Sequence, residues 1–295
     1  MSDTKPTQTP ATRPERKKMG RALRQQVPFS SHGKWTPAAG RSDPLALLQA
    51  QDKGRVKSLL PIKYGRMLVS PFTFYRGSAV IMAADLAGTP ASGIHAILCG
   101  DAHLSNFGIF ASPERRMVFD INDFDEAFPG PWEWDLKRLA VSAVIAGRDN
   151  GFSEATCRDL AADTTRAYIG AMDYFSQMPT LEQWYYHVEV DSVLKVFEKS
   201  SKKGRKSAAK MVKKARTKTH EQTMEKLTRL EDGRRRIISE PPLLVPFREM
   251  GLEKYLSKAD LKKLSEEGVA QSWNQYLDSL PDERRYLLQR YQITD

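Results

Sequence analysis

Between Cys99 and Leu139 the chain reads CGDAHLSNFGIFASPERRMVFDINDFDEAFPGPWEWDLKRL, and no other stretch restricts the fold so tightly. Asp120, Asp123, Asp125 and Glu126 are set among Phe119, Ile121, Phe124 and Phe128, with Trp132 just beyond. Carboxylates so flanked do not make a solvated face. They belong at the edge of a core, where ionised groups need a cation or a donor. Upstream, Gly100-Asp101 closes the short apolar run from Ile94 to Cys99, and Asn106 lies five residues past Asp101. Two carboxylates at strand ends, with an amide in the loop between, form a Mg²⁺-phosphate constellation. Mg²⁺ takes hard oxygen ligands and shares them with substrate phosphates.

At 295 residues the chain has room for one large domain or two small ones. A hydrophobic content of 40% and an aromatic content of 9% exclude a wholly disordered protein. Two cysteines, Cys99 and Cys157, supply neither a disulfide framework nor a C-x-x-C metal spacing, which points to the reducing cytoplasm. The opening residues lack the apolar centre of a signal peptide, and no apolar run reaches membrane-spanning length, so no membrane partner is expected.

The net charge of +10 sits largely in two places. One is the arm carrying Arg13, Arg16, Lys17, Lys18, Arg21 and Arg24. The other is Lys195–Lys218, with Lys or Arg at eleven positions and Glu198 as its one acid. Two readings stand for residues 195–218: a solvated helix or loop, or a platform for a polyanion such as nucleic acid, lipid headgroups or nucleotide. From Lys199 onward no aromatic residue interleaves with the charges, which leaves bases nothing to stack on. The solvated reading is taken.

Residues 1–40, rich in Pro, Thr, Lys and Arg, are expected to form a disordered basic arm, and 41–295 a single domain. Asp43-Pro44 opens a helical stretch to Met67, with Asp43 as cap. Ser70-Pro71 breaks it, and Phe72 to Ala87 reads as a second apolar helix. Ile94–Cys99 and Arg116–Ile121 read as strands, the first buried, and Asn106–Phe110 as a third that forms a hairpin across ASPERR. From Trp134 the pattern is helical as far as Asn150-Gly151, and Ser153 caps a further helix to about Met178. Residues 199–218 read as a flexible connection entering a basic helix near Ala208. Thr219–Leu230 and Lys258–Tyr291 read as helical. The expected class is α+β, predominantly helical, with a small β-hairpin carrying the acidic site.

Three segments resemble the catalytic core of protein-kinase-like phosphotransferases of the aminoglycoside- and choline-kinase type. These are Cys99-Gly100-Asp101-Ala102-His103-Leu104-Ser105-Asn106, Asn122-Asp123-Phe124-Asp125-Glu126-Ala127, and Gly130-Pro131-Trp132-Glu133-Trp134-Asp135-Leu136-Lys137. The wording SPFTFYRG, GDAHLSNFG, NDFDEAFPGPWEWDLKRLA and EPPLLVP resembles the bacterial DUF2252 proteins, from about Tyr64 to the C-terminus. The resemblance implies a kinase-like catalytic region of the C-lobe type, with Mg²⁺ (or Mn²⁺) and ATP as cofactors.

On that resemblance Asp101, after a strand and a Gly turn, is the catalytic base for an acceptor hydroxyl. Asn106 and Asp123 are metal ligands. Asp125 joins them if the backbone stays extended, and Asp120 is a rival because one step of register turns a side chain to the opposite face. His103 orients the loop, and Asp135 bonds the loop's backbone. Arg66 and Arg76 offer a phosphate clamp or, equally, partners for the acidic cluster. Trp132 and Trp134 read as core, Lys137 and Arg138 as surface charges.

The expected function is Mg²⁺-ATP-dependent phosphoryl transfer to an unknown hydroxyl acceptor, or a phosphotransferase-like protein inactive as this chain if the nucleotide lobe is missing. The alternatives are a non-catalytic kinase-like binding module or half of a split protein, a metal-dependent phosphohydrolase, and a basic nucleic-acid binder. No Gly-rich phosphate loop followed by a Lys-bearing strand precedes the catalytic segment. The resembled family carries its Gly- and Val-rich segment later, so the chain reads as C-terminally truncated, with a second chain as one possible source of the nucleotide lobe.

Overall fold

Capping decides where the first helices begin. The computed structural model describes residues 11–198, 201–217, 220–246, 249–251, 257, 261 and 266–291. Helix α1 (Arg13–Gln26) starts at Thr12, whose backbone N–H and hydroxyl both donate to the Glu15 carboxylate. None of its residues is buried. The arm expected to be disordered therefore contains a helix, supported by its cap and not by a core.

Asp43 caps α2 (Pro44–Asp52) by accepting from the Ala46 N–H. The single helix expected up to Met67 is two. Pro61 is tolerated only in a first turn, and it sits in the first turn of α3 (Leu60–Met67). Asp52 then accepts from Lys63 Nζ at 2.7 Å and Tyr64 OH at 2.5 Å, pinning α3 to the end of α2. Ser70 caps α4 (Pro71–Arg76), which ends at Gly77, and α5 (Ala79–Leu86) follows as a separate helix.

Strand β1 (His95–Leu98) pairs antiparallel with β4 (Phe128–Pro131), Leu98 opposite Phe128. It was expected to be buried, yet only Leu98 is, and Ile97 is 77% exposed. A two-stranded ribbon has one face to cover, and here one face stays open. Strands β2 (Phe107–Ala111) and β3 (Met117–Ile121) form the hairpin expected across ASPERR, with Gly108 opposite Asp120.

Helix α6 (Glu133–Asp149) packs along α7 (Glu154–Gln177), which Ser153 caps through the Thr156 N–H. Cys157 of α7 is fully buried, and a Cβ on Gly147 of α6 would lie 2.9 Å from its Sγ. Trp132 stacks on Tyr168 with ring centres 5.4 Å apart, and Trp134 meets Phe128 edge-on. Two short helices follow, α8 (Thr180–Trp184) and α9 (Val190–Glu198). Helix α10 (Lys202–Thr217) begins where a flexible connection was expected, with Ala208 and Val212 buried one turn apart. Residues 199, 200 and 218 of that connection lie outside the described residues.

The chain divides at Ala215 into two units, Met1–Ala215 and Arg216–Asp295. In the second unit, α11 (His220–Leu227) stops short of the expected Leu230. Asp232 (φ 48°) and Gly233 (φ 75°) turn β5 (Thr228–Glu231) into β6 (Arg234–Ile237). Asp-Gly with both φ values positive is the two-residue turn that suits strand twist. Helices α12 (Glu266–Asp278) and α13 (Asp282–Leu288) flank Pro281, which breaks the expected last helix; residues 258–260 and 262–265 of that stretch lie outside the described residues. The protein is thus mixed α and β and predominantly helical. Among the described residues no helix is long and apolar enough to cross a membrane.

Candidate functional site

Asp135, Arg138 and Ser142 are spaced three and four residues apart, which puts them on one face of α6. All three reach the loop that follows β1. Asp135 accepts from the backbone N–H of Cys99 (2.7 Å) and of Gly100 (3.0 Å). Arg138 Nε donates to Asp101 Oδ1 at 2.5 Å, and Ser142 Oγ accepts from the Leu104 N–H at 3.1 Å. A loop leaving a strand has orphaned amides, and buried amides must find partners. The face of α6 supplies them.

Arg138 is 3% exposed, not the surface charge expected from its place near a helix start. Its Nη2 donates to the Tyr75 carbonyl at 2.8 Å, and its guanidinium lies 4.2 Å from the centre of the Tyr75 ring. Tyr75 OH donates in turn to the Arg138 carbonyl at 2.9 Å. One residue therefore ties α4 to Asp101. Burial pushes the Tyr75 phenol far up, so it stays a neutral donor.

The second acidic segment closes over the first. Gly100 has φ +79°, and a Cβ there would sit 1.9 Å from the Glu126 carbonyl oxygen. Asn106, 5% exposed, spans the two segments: its Nδ2 lies 3.1 Å from the Asp101 carbonyl and 3.0 Å from the Asp123 carbonyl. The same Nδ2 is 3.3 Å from Cys99 Sγ, whose thiol points to the Asp123 carbonyl at 3.6 Å. Burial pushes the Cys99 thiol up, the Asp101 backbone bond pulls it down, and the charges of Asp135, Asp101 and Asp123 push it up. With Nδ2 spoken for, the Asn106 Oδ1 is fixed by default and accepts no hydrogen bond among the described residues.

His103 is buried, its ring edge-on to Phe72, and its Nδ1 accepts from the Ser105 N–H at 3.1 Å. That bond assigns the ring proton to Nε2, which lies 3.5 Å from Asp101 Oδ2. Burial pulls the His103 pKa down. Asp101 opposes that pull, Arg138 and Arg76 add to it, and Asp123 opposes it. Asp101, Asp123, Arg76 and Arg138 thus share one electrostatic neighbourhood around this ring.

The remaining expected side chains make no hydrogen bond to Asp101, Asn106 or His103 among the described residues. Strand β3 ends at Ile121, and Asp123 Oδ1 accepts from the Asp125 N–H at 3.1 Å. The chain therefore turns there, and Asp125 does not share an extended face with Asp123. Both are exposed. Asp120 is exposed, and its carboxylate accepts from the next amide, Ile121 N–H. Arg76 is exposed at the end of α4, and Arg66 is exposed on α3 with no part in these contacts.

No group of three or more His, Cys, Asp or Glu side chains poised to hold a metal occurs among the described residues. Asp101 is committed to Arg138. A cation here would draw on Asn106 Oδ1 and the exposed Asp123 carboxylate, and take the rest of its shell from water and substrate. That is the usual habit of Mg²⁺ and not that of Zn²⁺ or Ca²⁺. The two donor types, an amide oxygen and a carboxylate, are the hard oxygens that Mg²⁺ takes.

Residues 55–295 match a family described as an uncharacterized protein conserved in bacteria (DUF2252), and the chain belongs to that family. No curated protein and no solved structure matches it.

Proposed function

We propose that this protein is a metal-dependent phosphotransferase of kinase-like type, moving a phosphoryl group from ATP to a hydroxyl acceptor. The observation that carries the reading is the Asn106 carboxamide, which holds the backbones of Asp101 and Asp123 together on a loop braced by α6. Phosphoryl transfer asks little of a protein beyond positioning and charge stabilisation, and this arrangement supports both. Asp101, fixed at Oδ1 by Arg138, keeps Oδ2 to orient the acceptor hydroxyl and receive its proton. Asn106 Oδ1 and Asp123 would hold Mg²⁺, which when bound offsets charge on the phosphate oxygens. Arg76, exposed and close enough to act on His103, gives those oxygens a cationic contact.

The test separates the two carboxylates. Mn²⁺-ATP binding by calorimetry should weaken at least tenfold in Asp123→Asn and by less than about twofold in Asp101→Asn, while ATP turnover disappears in Asp101→Asn. Nucleotide binding that ignores metal, or that ignores Asp123→Asn, overturns the proposal. One observation favours a second reading, a non-catalytic binding module. Asp101 gives an oxygen to a buried arginine, as a carboxylate that holds two elements together does. On that reading Asp101→Asn affects stability alone.

A further inference from the structure

Away from the acidic loops, α4, α5, α6 and the segment around His32–Trp35 enclose a cavity of 660 Å³. Trp35, Phe74, Ile81, Met82, Val141 and Ile145 make its walls apolar. Ligand sites of this kind run from about 300 to about 1,000 Å³, apolar with a few placed polar groups. Here two of the polar groups are joined. Lys137, half-buried, donates from Nζ to Thr89 Oγ1 at 3.2 Å, and both residues line the cavity.

The charge balance of the lining is uneven. Asp85 also lines the cavity, but Arg41 engages both its oxygens, at 2.6 and 2.8 Å. Glu133, one turn before Lys137 on α6, is 3% exposed and accepts from the Ser92 N–H at 2.7 Å. Among the described residues no carboxylate comes within 4 Å of Lys137 Nζ. Burial pulls the Lys137 pKa down and Glu133 only opposes it, as expected of an ammonium short of a direct counter-ion. Lys34 adds a second, exposed cation at the lining. A half-buried ammonium with unused donors at the end of an apolar cavity is matched by one negative charge on an apolar body.

We propose that this cavity binds a small amphipathic monoanion, its carboxylate at Lys137 and Thr89 and its hydrocarbon along Trp35, Ile81 and Val141. A phosphate dianion would need more cationic donors than this one half-buried ammonium. The site is independent of the phosphotransferase reading and shares with the acidic loops Tyr75 and Met82, which line the cavity and contact Arg138.

The experiment is calorimetry of the full chain with dodecanoate, dodecanol and dodecyltrimethylammonium. Dodecanoate should bind one-to-one, dodecanol at least tenfold more weakly, and the cation not at all. Lys137→Met should bring dodecanoate down to the level of the alcohol, and Ile81→Trp should abolish both. If Ile81→Trp does not fold, a brominated dodecanoate serves in its place: it should quench a tryptophan signal that Trp35→Phe removes. Equal binding of acid and alcohol overturns the anionic end. Undiminished binding in Ile81→Trp, quenching unchanged in Trp35→Phe, or no heat from dodecanoate at all overturns the site.

Discussion

Replacing Arg138 with methionine tests the brace that holds Asp101. The substitution keeps much of the side chain's apolar bulk and removes the guanidinium. Asp101, with 20% of its side chain exposed, loses its cation, and the Tyr75 carbonyl loses one of its donors, keeping those from Ser78. Removing one partner of a buried ion pair costs about 3–5 kcal/mol. Asp101 keeps some access to water, so the lower end applies, about 3 kcal/mol. At about 2–4 °C per kcal/mol for a domain of this size, the unit Met1–Ala215 should melt about 6–12 °C lower. The assay is thermal unfolding by far-ultraviolet circular dichroism, with Asp101→Asn and the double variant completing a cycle. A neutral amide at 101 no longer needs the cation, so the double variant should be more stable than the sum of the single losses by about 1–2 kcal/mol. A melting point within about 2 °C of wild type for Arg138→Met, or strict additivity, would refute the argument.

Two further outcomes follow from the same loops. Gly100→Ala forces a Cβ into the Glu126 carbonyl at a residue with positive φ, and backbone on backbone cannot step aside. It should cost at least about 3 kcal/mol in thermal unfolding, and a near-wild-type variant would mean that the segment around Glu126 does not lie on Gly100. Burial is the largest influence on Asp135 and pushes its carboxyl up, against the bonds from Cys99 and Gly100 that pull it down. The folded protein therefore holds that proton more tightly than the unfolded chain. The contribution of this group is greatest below the ordinary carboxylate value of about 3.9 and is lost as pH rises through the raised value. In urea unfolding across that window, any advantage of wild type over Asp135→Asn should shrink as pH rises, and an advantage that grows instead contradicts the assignment.

What could be read in the sequence was what local chemistry decides. Asp43 and Ser153 cap their helices as their types require, and the β2–β3 hairpin follows from apolar runs on either side of ASPERR. The missed elements had local signals outweighed by composition. Thr12-Arg13-Pro14-Glu15 carries a capping-box pattern, but the charge around it read as disorder. Asp232-Gly233 is a hairpin turn, masked because TRLE and RRRI lack apolar alternation. Phe128–Pro131 contains two prolines, which argue against a strand until its partner β1 is seen to need only an edge. Arg138 needed tertiary knowledge, since a charge near a helix start is usually solvated. Its spacing from Asp135 and Ser142 was the available clue.

That spacing also explains why the loop after β1 is so firmly held. The Cys99, Gly100 and Leu104 amides, the Asp101 Oδ1 and the Asn106 Nδ2 are all consumed inside the protein, three of the amides and the carboxylate oxygen by α6 alone. A loop with its backbone so fully paired cannot rearrange cheaply, because each broken bond leaves a buried polar group. The hydrogen-bonding capacity that remains is at Asn106 Oδ1, the exposed Asp123 carboxylate and Asp101 Oδ2, on residues whose backbones one amide joins. Rigid support of this kind is what the proposed site for a metal-bound anion would require. Arg138 is therefore the residue on which the candidate site and the stability of its support both depend.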